Sequence, residues 1–448
     1  MSIALGAGTA LSAFGVATPA GATVDCGAGV TVDATEAAIR EAITADETLI
    51  CVNPGTIDMS TTGVDASAEP FEVLGADLTL IALGTVVLDG GDVALNAILS
   101  MGSASEDLTV DGFTFSNFNN SDLDNGYGVV NLEHSSGTVT VINSTFIDNV
   151  GYAMVGGSDW DTDSLFPEVV VDNSVFESNS VDLAIVSGKS DATITDSTFT
   201  DCYGQFDIVL SNGEAGSTHT EVSGNFFASN EVWSVINADG DTSLIYNNTF
   251  VENVNGGSVL FVGSEQDSVV AFNTFAHNAS DVVSPNADVM ISAETNVSLL
   301  GNIWVNGTAG SLTRDETDTT ANYIDAGGNF STTNESAFLD NPSSSSNVAE
   351  SALDLGEAAD NGGPTWTAAL GADSVAIDAV RPSVASALLG FAFDVDQRGD
   401  DRVGDIDAGA FEFGELADTG VDATGIALTG GVLGAAGVAL VARRRRKA

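Results

Sequence analysis

Eight octets between residues 108 and 304 follow one pattern, and that pattern restricts what the chain can fold into. They begin at Leu108, Val139, Val169, Ala192, Thr220, Ser243, Ser268 and Val297, and read, for example, VTVINSTF, ATITDSTF and SLIYNNTF. The third position is always aliphatic (Val110, Val141, Val171, Ile194, Val222, Ile245, Val270, Leu299). The eighth is always a large aromatic (Phe115, Phe146, Phe176, Phe199, Phe227, Phe250, Phe275, Trp304). The fifth is Gly, Asn or Asp in every copy but one, and these residues enter left-handed backbone at the least cost. The octet therefore predicts strand, tight bend, strand, with the bend at positions five and six. Phe272 is the exception.

The aromatic positions recur every 23 to 31 residues, the size of one coil of a solenoid whose loops vary in length. Upstream of most octets lies another short aliphatic run, such as LAIVSG at 183 or DIVLSN at 207, set off by polar, Gly-rich stretches. A rung of strand, loop, strand, bend and strand is that of a parallel β-helix. In such a stack the aromatics form an internal column, and Ser144, Ser174, Ser197, Asn225, Asn248, Asn273 and Asn302 at position six form a hydrogen-bonded ladder. A β-sandwich of many short strands is the competing fold, and it gives no reason for the bend residue to recur at one place in every unit.

Cys26 and Cys51 flank a segment that opens with Asp33-Ala34-Thr35-Glu36, a capping-box pattern ahead of Ile39 and Ile43. A short helix tied by a disulfide between those cysteines suits the open end of a solenoid, whose unpaired strand edge otherwise recruits other chains. Cys202 takes the place that Asn149, Asn179, Asn230, Asn253 and Asn278 hold three residues after the aromatic, so it reads as a buried free thiol in a turn stack and not as a nucleophile.

The chain has 64 acidic and 11 basic residues, and five of the basic ones form the cluster at 443–447. A net charge of −53 excludes nucleic acid and anionic glycans as ligands at moderate salt. Such a surface either keeps a protein soluble in concentrated salt or holds cations.

Residues 1–22 carry an apolar run ending in Ala20-Gly21-Ala22, the form of a signal-peptide cleavage site, although no Lys or Arg precedes the run and the true start is expected upstream. At the other end stand Leu416-Ala417-Asp418-Thr419-Gly420, a Gly/Ala-rich apolar run at 425–442 and Arg443-Arg444-Arg445-Arg446-Lys447. A run of that length can just span a bilayer, with the basic cluster on the cytoplasmic side, and a plain tail anchor would look much the same. The order of pentapeptide, span and cluster resembles the cell-wall sorting signals of Gram-positive bacteria, in the LAxTG variant of actinobacteria. That resemblance implies export, sortase attack on the Thr419 carbonyl, and transfer to a peptidoglycan amine.

From 355 onward the pattern changes. Leu355-Gly356, Ala359-Asp360-Asn361-Gly362-Gly363-Pro364-Thr365, Ser374-Val375-Ala376-Ile377-Asp378-Ala379, Asp396-Gln397-Arg398-Gly399, Arg402 and Asp407-Ala408-Gly409-Ala410-Phe411-Glu412 occur in that order. They resemble the C-terminal signature of choice-of-anchor Q proteins, bacterial surface β-helices that differ in how they are anchored. Val375 stands where that family usually has Pro, Val380 where Gly is usual, and a long insert precedes Asp396. The segment from Thr35 to Ile43 with Pro54-Gly55-Thr56-Ile57 is similar to the family's leader. On the residues alone, Arg398 sits among Asp378, Asp396, Asp405 and Asp407, and is expected to fix a cap to the last coil.

Long β-helices carry polysaccharide lyases and glycosidases, whose chemistry needs two opposed carboxylates or a Ca²⁺ site with a basic residue. The carboxylates here do not cluster at matched positions of successive coils, and Lys189 and Arg314 are the only Lys or Arg between Ile43 and Arg381. His134, His219 and His277 fall at unlike offsets, against a shared metal site. Asp159, Asp161 and Asp163 alternate like the opening of a Ca²⁺ loop, yet Ser164 replaces the Gly and no Glu closes it, which favours a solvated acidic loop. Trp160 and Trp233 could stack a host or environmental glycan, or simply pack.

The expected architecture is an all-β, right-handed parallel β-helix at 67–330, with an N-terminal helical cap at 23–66, a choice-of-anchor Q-like cap region at 331–414 and a sorting tail at 415–448. The expected function is non-catalytic display at the cell wall, as stalk or adhesive surface. A surface-retained carbohydrate-active enzyme is the alternative.

Overall fold

The computed structural model describes residues 26–414, apart from 46, 61–70, 73–75, 93–96, 101–105, 120–127, 133–135, 157–166, 189–190, 212–217, 241, 264–267, 281–286, 292–295, 306–309 and 315–321. Parallel strands stack into two long sheets of 21 and 14 strands, which form the sides of a parallel β-helix. A middle rung shows the plan. Thr138–Ile142 and Thr145–Ile147 lie in the first sheet and Val150–Gly156 in the second.

The octets stack in register. Val141 pairs with Val110 and Val171, and Phe146 with Phe115 and Phe176. The rings form one buried column whose centroids lie 4.7 to 5.0 Å apart from Phe115 to Phe275, with Trp304 5.8 Å beyond. Bend position five is left-handed throughout, with φ between 46° and 81° from Gly112 to Gly301. At position six the asparagine ladder is continuous: Asn225, Asn248, Asn273 and Asn302 each donate Nδ2 to Oδ1 of the next, at 3.0 to 3.2 Å.

A second left-handed bend, which the octets do not include, follows two residues after each aromatic from Phe115 to Phe275, at Asn117, Asp148, Ser178, Asp201, Ser229, Glu252 and His277. The next residue faces inward, and from Asp148 onward its side chain donates to the aromatic's carbonyl one rung back, as Asn149 does to Phe115 (3.1 Å) and Asn230 to Phe199 (2.9 Å). Cys202 keeps this role with its thiol, 3.6 Å from the Phe176 carbonyl. Burial pushes that thiol up to about 12, so it stays protonated and unreactive.

Rungs extend beyond the octets. Leu49–Val52 and Gly55–Asp58, inside the stretch expected as a cap, already pair with Leu78–Asp89. The helix Glu36–Thr44 lies at this end, with Ile39 and Ala42 buried. Thr35 is its N-cap and accepts from the Ala38 N–H, whereas the capping-box reading put Asp33 there. The Asp33 carboxylate instead accepts from Asn53, on the connection between two strands of the first rung. Cys26 and Cys51 are bonded, with Cα atoms 5.9 Å apart.

At the far end, Phe338 and Leu339 pack with Tyr323 onto the main core. The region from 355 onward is not confined to that last rung, as the sequence suggested. It runs back along the first bend. Thr365 donates to the Gly224 carbonyl (2.6 Å), Arg402 to Asn247 (2.9 Å) and Gly409 N–H to the Gly301 carbonyl (2.7 Å), while Val380 fills the space beside Gly328. Phe272 explains itself here: its ring stacks on Phe393 with centroids 4.4 Å apart, under the Arg402 guanidinium. The insert before Asp396 forms the helix Pro382–Leu389 and delivers Phe393, so two departures from their respective patterns meet in one secondary core.

Arg398 pairs with Asp396 (2.7 Å) and Asp400 (3.1 Å) and covers Phe411, tying the region to itself. Asp407 instead accepts from the Asp378 N–H. The buried cation that reaches the solenoid is Arg402, because its position lies directly over the Phe272 bend.

Candidate functional site

On the second sheet several rungs turn a corner between two short strands, and the connecting residues differ from rung to rung. Gln205 and Phe206 join Tyr203–Gly204 to Asp207–Ser211; Trp233 alone joins Glu231–Val232 to Ser234–Ala238; the following rung has Gly256-Gly257-Ser258. The rungs are stitched together, since the Phe206 carbonyl accepts from Trp233 N–H (2.6 Å) and the Trp233 carbonyl from Gly257 N–H (2.8 Å).

This corner gathers exposed aromatic surface. Tyr203, Phe206 and Trp233 are 58, 41 and 52 % exposed, and of the described residues only Phe391 is another aromatic so open. The Trp233 indole lies across two glycines: a Cβ on Gly256 would stand 2.7 Å from its Cε3, and one on Gly257 2.7 Å from its Nε1. Any side chain at either position would lift the ring.

Beneath the aromatics the corner is polar. Asp207 is 3 % exposed; its Oδ2 accepts from Asn237 (3.1 Å), while its Oδ1, the Asn237 Oδ1 and the Ser258 hydroxyl are buried without a protein partner. Desolvation pushes the Asp207 carboxyl up to about 7, outweighing the donors at Asn237 and Ser234. A neutral carboxyl at physiological pH can donate a proton, but this one is closed off from water.

The linkage is testable. Asp207 stays neutral in the folded chain up to about pH 7 and ionises near pH 4 when unfolded, so unfolding releases a proton between those limits. Stability attributable to this group therefore falls as pH rises from about 4 to about 7, by up to about 4 kcal/mol. Asp207→Asn should melt like the parent near pH 4 and well above it at pH 7 to 8. Parallel profiles for the two proteins across that range would show that the carboxyl is not held neutral.

Carboxylates also meet at the two bends, contrary to the reading that matched positions lack them. Asp148 and Asp201 share the second-bend position, and both raise the pKa of Glu177, after desolvation. Desolvation, with Asp172 in support, pushes Asp196 up to about 6. The octet alignment stopped short of the second bend and so missed the first of these groups.

Other candidates stay apart. His219 is exposed beside Thr242, and His277 lies at a second bend 3.7 Å from Glu350. His134, Asp159, Trp160, Asp161, Asp163 and Lys189 lie outside the described residues, as do Leu416, Ala417, Asp418, Thr419, Gly420 and the run at 425–442. Among the described residues no helix is long and apolar enough to cross a membrane, and no three metal-ligating side chains cluster.

Residues 127–288 match the family model of the right-handed β-helix region. No curated protein matches the chain. In shape it is similar to a solved mannuronic acid specific polysaccharide family 6 lyase from human gut microbiota, at 9 % identity and a TM-score of 0.31, covering 71 % of this chain and 91 % of that one. So slight a likeness carries no argument about chemistry. What the family match and the strand pairing establish together is a right-handed parallel β-helix.

Proposed function

We propose that this is a non-catalytic surface protein of a Gram-positive, actinobacterial type of cell, exported, joined by a sortase to a peptidoglycan amine through Thr419, and displaying its β-helix as stalk and adhesive surface. The observation that carries the reading is the order Leu416-Ala417-Asp418-Thr419-Gly420, apolar run, basic cluster. An interior in which an aromatic column, aliphatic columns and polar ladders run from rung to rung supports it, because such stacking resists bending and can hold a surface away from the wall. Thr419→Ala should move the protein from the wall fraction to the membrane fraction without altering its melting temperature. Retention in the wall, or wall material that still carries the Arg443–Arg446 cluster by mass spectrometry, would make the tail an ordinary membrane anchor.

The second reading, a surface-retained carbohydrate-active enzyme, draws on Asp207, whose carboxyl burial raises toward the range of a glycosidase acid, and requires that the corner open to bring this buried group to a substrate. Release of sugar from a polysaccharide panel that Asp207→Asn abolishes would favour it. No release favours display.

A further inference from the structure

We propose that the corner built by Tyr203, Phe206 and Trp233 binds a neutral hexopyranose polysaccharide whose sugar units carry equatorial hydroxyls. The proposal deepens the adhesive reading by naming its ligand class and its site.

The Trp233 indole carries the inference. One face lies across the Gly256-Gly257 backbone and the residue is 52 % exposed, so the other face is open to solvent. An apolar ring held outward in this way forgoes the burial that aromatic side chains usually find. The glycine pair also fixes the ring's tilt, so little rotamer entropy remains to be lost on binding. A pyranose with equatorial hydroxyls presents a flat patch of C–H bonds to such a face, whereas an axial hydroxyl would interrupt it.

Neighbouring rungs extend the surface. Tyr203 and Phe206 belong to the rung before Trp233, about 4.8 Å away along the stack, which is close to the length of one sugar ring. Successive units of a chain laid along the solenoid axis would therefore meet aromatics in turn. Between and beside the rings stand exposed acceptors: Glu231 pairs in register with Tyr203, Gln205 precedes Phe206, and Asp182 lies one rung earlier. Carboxylates accept hydrogen bonds from sugar hydroxyls and repel uronates and sulfates. With a net charge of −53, the chain also repels a second copy of itself, which disfavours self-association as what covers the rings.

Isothermal titration of the purified full chain with β-1,4-linked hexamers of glucose, mannose and N-acetylglucosamine, and with a galacturonate hexamer at low salt, tests the proposal. At least one of the glucose and N-acetylglucosamine hexamers is expected to bind, whereas the mannose hexamer, with its axial 2-hydroxyl, and the galacturonate are not. Trp233→Ala should weaken that binding by about tenfold, the worth of one stacked ring, and Tyr203→Ala by several-fold. Gly257→Val is the sharper variant: it retains the indole and displaces it, and should lose as much affinity as Trp233→Ala while circular dichroism stays unchanged. The proposal is overturned if neither the glucose nor the N-acetylglucosamine hexamer binds, if mannose or galacturonate binds as well as they do, if both Trp233→Ala and Gly257→Val bind like the parent, or if sedimentation shows that the rings pair two copies of the chain. None of these outcomes bears on wall attachment, which the Thr419→Ala fractionation decides by itself.

Discussion

Replacing Arg402 with alanine is expected to cost about 3 to 5 kcal/mol, the penalty for removing one partner of a buried ion pair. The guanidinium is fully buried, 3.1 Å from the Glu412 carboxylate, and it also donates to Asn247 Oδ1 and to the carbonyls of Asp407 and Gly409. Its Cζ lies 4.9 Å from the ring centroids of both Phe272 and Phe393. Without it Glu412, already raised in pKa by desolvation, loses its compensating charge, and Asn247 loses a donor. Arg402→Lys should cost less than alanine but still be felt, because an ammonium cannot reproduce the fork. Hydrogen exchange distinguishes the causes: the amides of Gly409 and Ala410, which bond to the solenoid, should open before those of the rungs. A loss below about 1 kcal/mol with these amides still protected would mean that apolar contacts alone hold the region in place.

Phe199→Ala should be comparably severe, at about 3 to 5 kcal/mol. Its ring stacks between Phe176 and Phe227 at 4.8 and 4.9 Å, so removal leaves a cavity that both neighbours line. In a solenoid each rung is held mainly by the rungs on either side, so protection should fall on both sides of 199 and stay intact near the ends. Phe206→Ala, by contrast, removes a half-exposed ring and should change the melting point little. Equal effects of the two substitutions would show that the column does not carry stability as the packing implies.

The solenoid was legible because parallel stacking forces inward positions to repeat, and the octet records that repetition directly. The second bend was less visible. Its left-handed position holds Asn, Asp, Ser, Glu and His in different rungs, and only the asparagine after it is regular. The aromatic corner was half legible: Trp233 stood out as a tryptophan in a polar stretch, but Tyr203 and Phe206 face outward, where stacking imposes no period. Nor does the sequence near Asp207 announce its raised pKa, which depends on burial contributed by other rungs. Phe272 appeared as an error in the octet and Phe393 as part of an insert. Neither makes sense without the other, and their separation in sequence concealed the contact.

The way residues 365–410 lie along the first bend limits how the chain can change in length. Thr365, Arg402, Phe393, Gly409 and Val380 meet five successive bends at Gly224, Asn247, Phe272, Gly301 and Gly328, so the region works as a ruler graduated in rungs. An extra coil inserted between 224 and 328 would shift every mark beyond it by about 4.8 Å, more than a hydrogen bond can follow. A coil added before 220 would shift none of them. Growth or loss of whole coils in such a protein is thus confined to the part of the solenoid that precedes Gly224, where no mark of the ruler would be displaced.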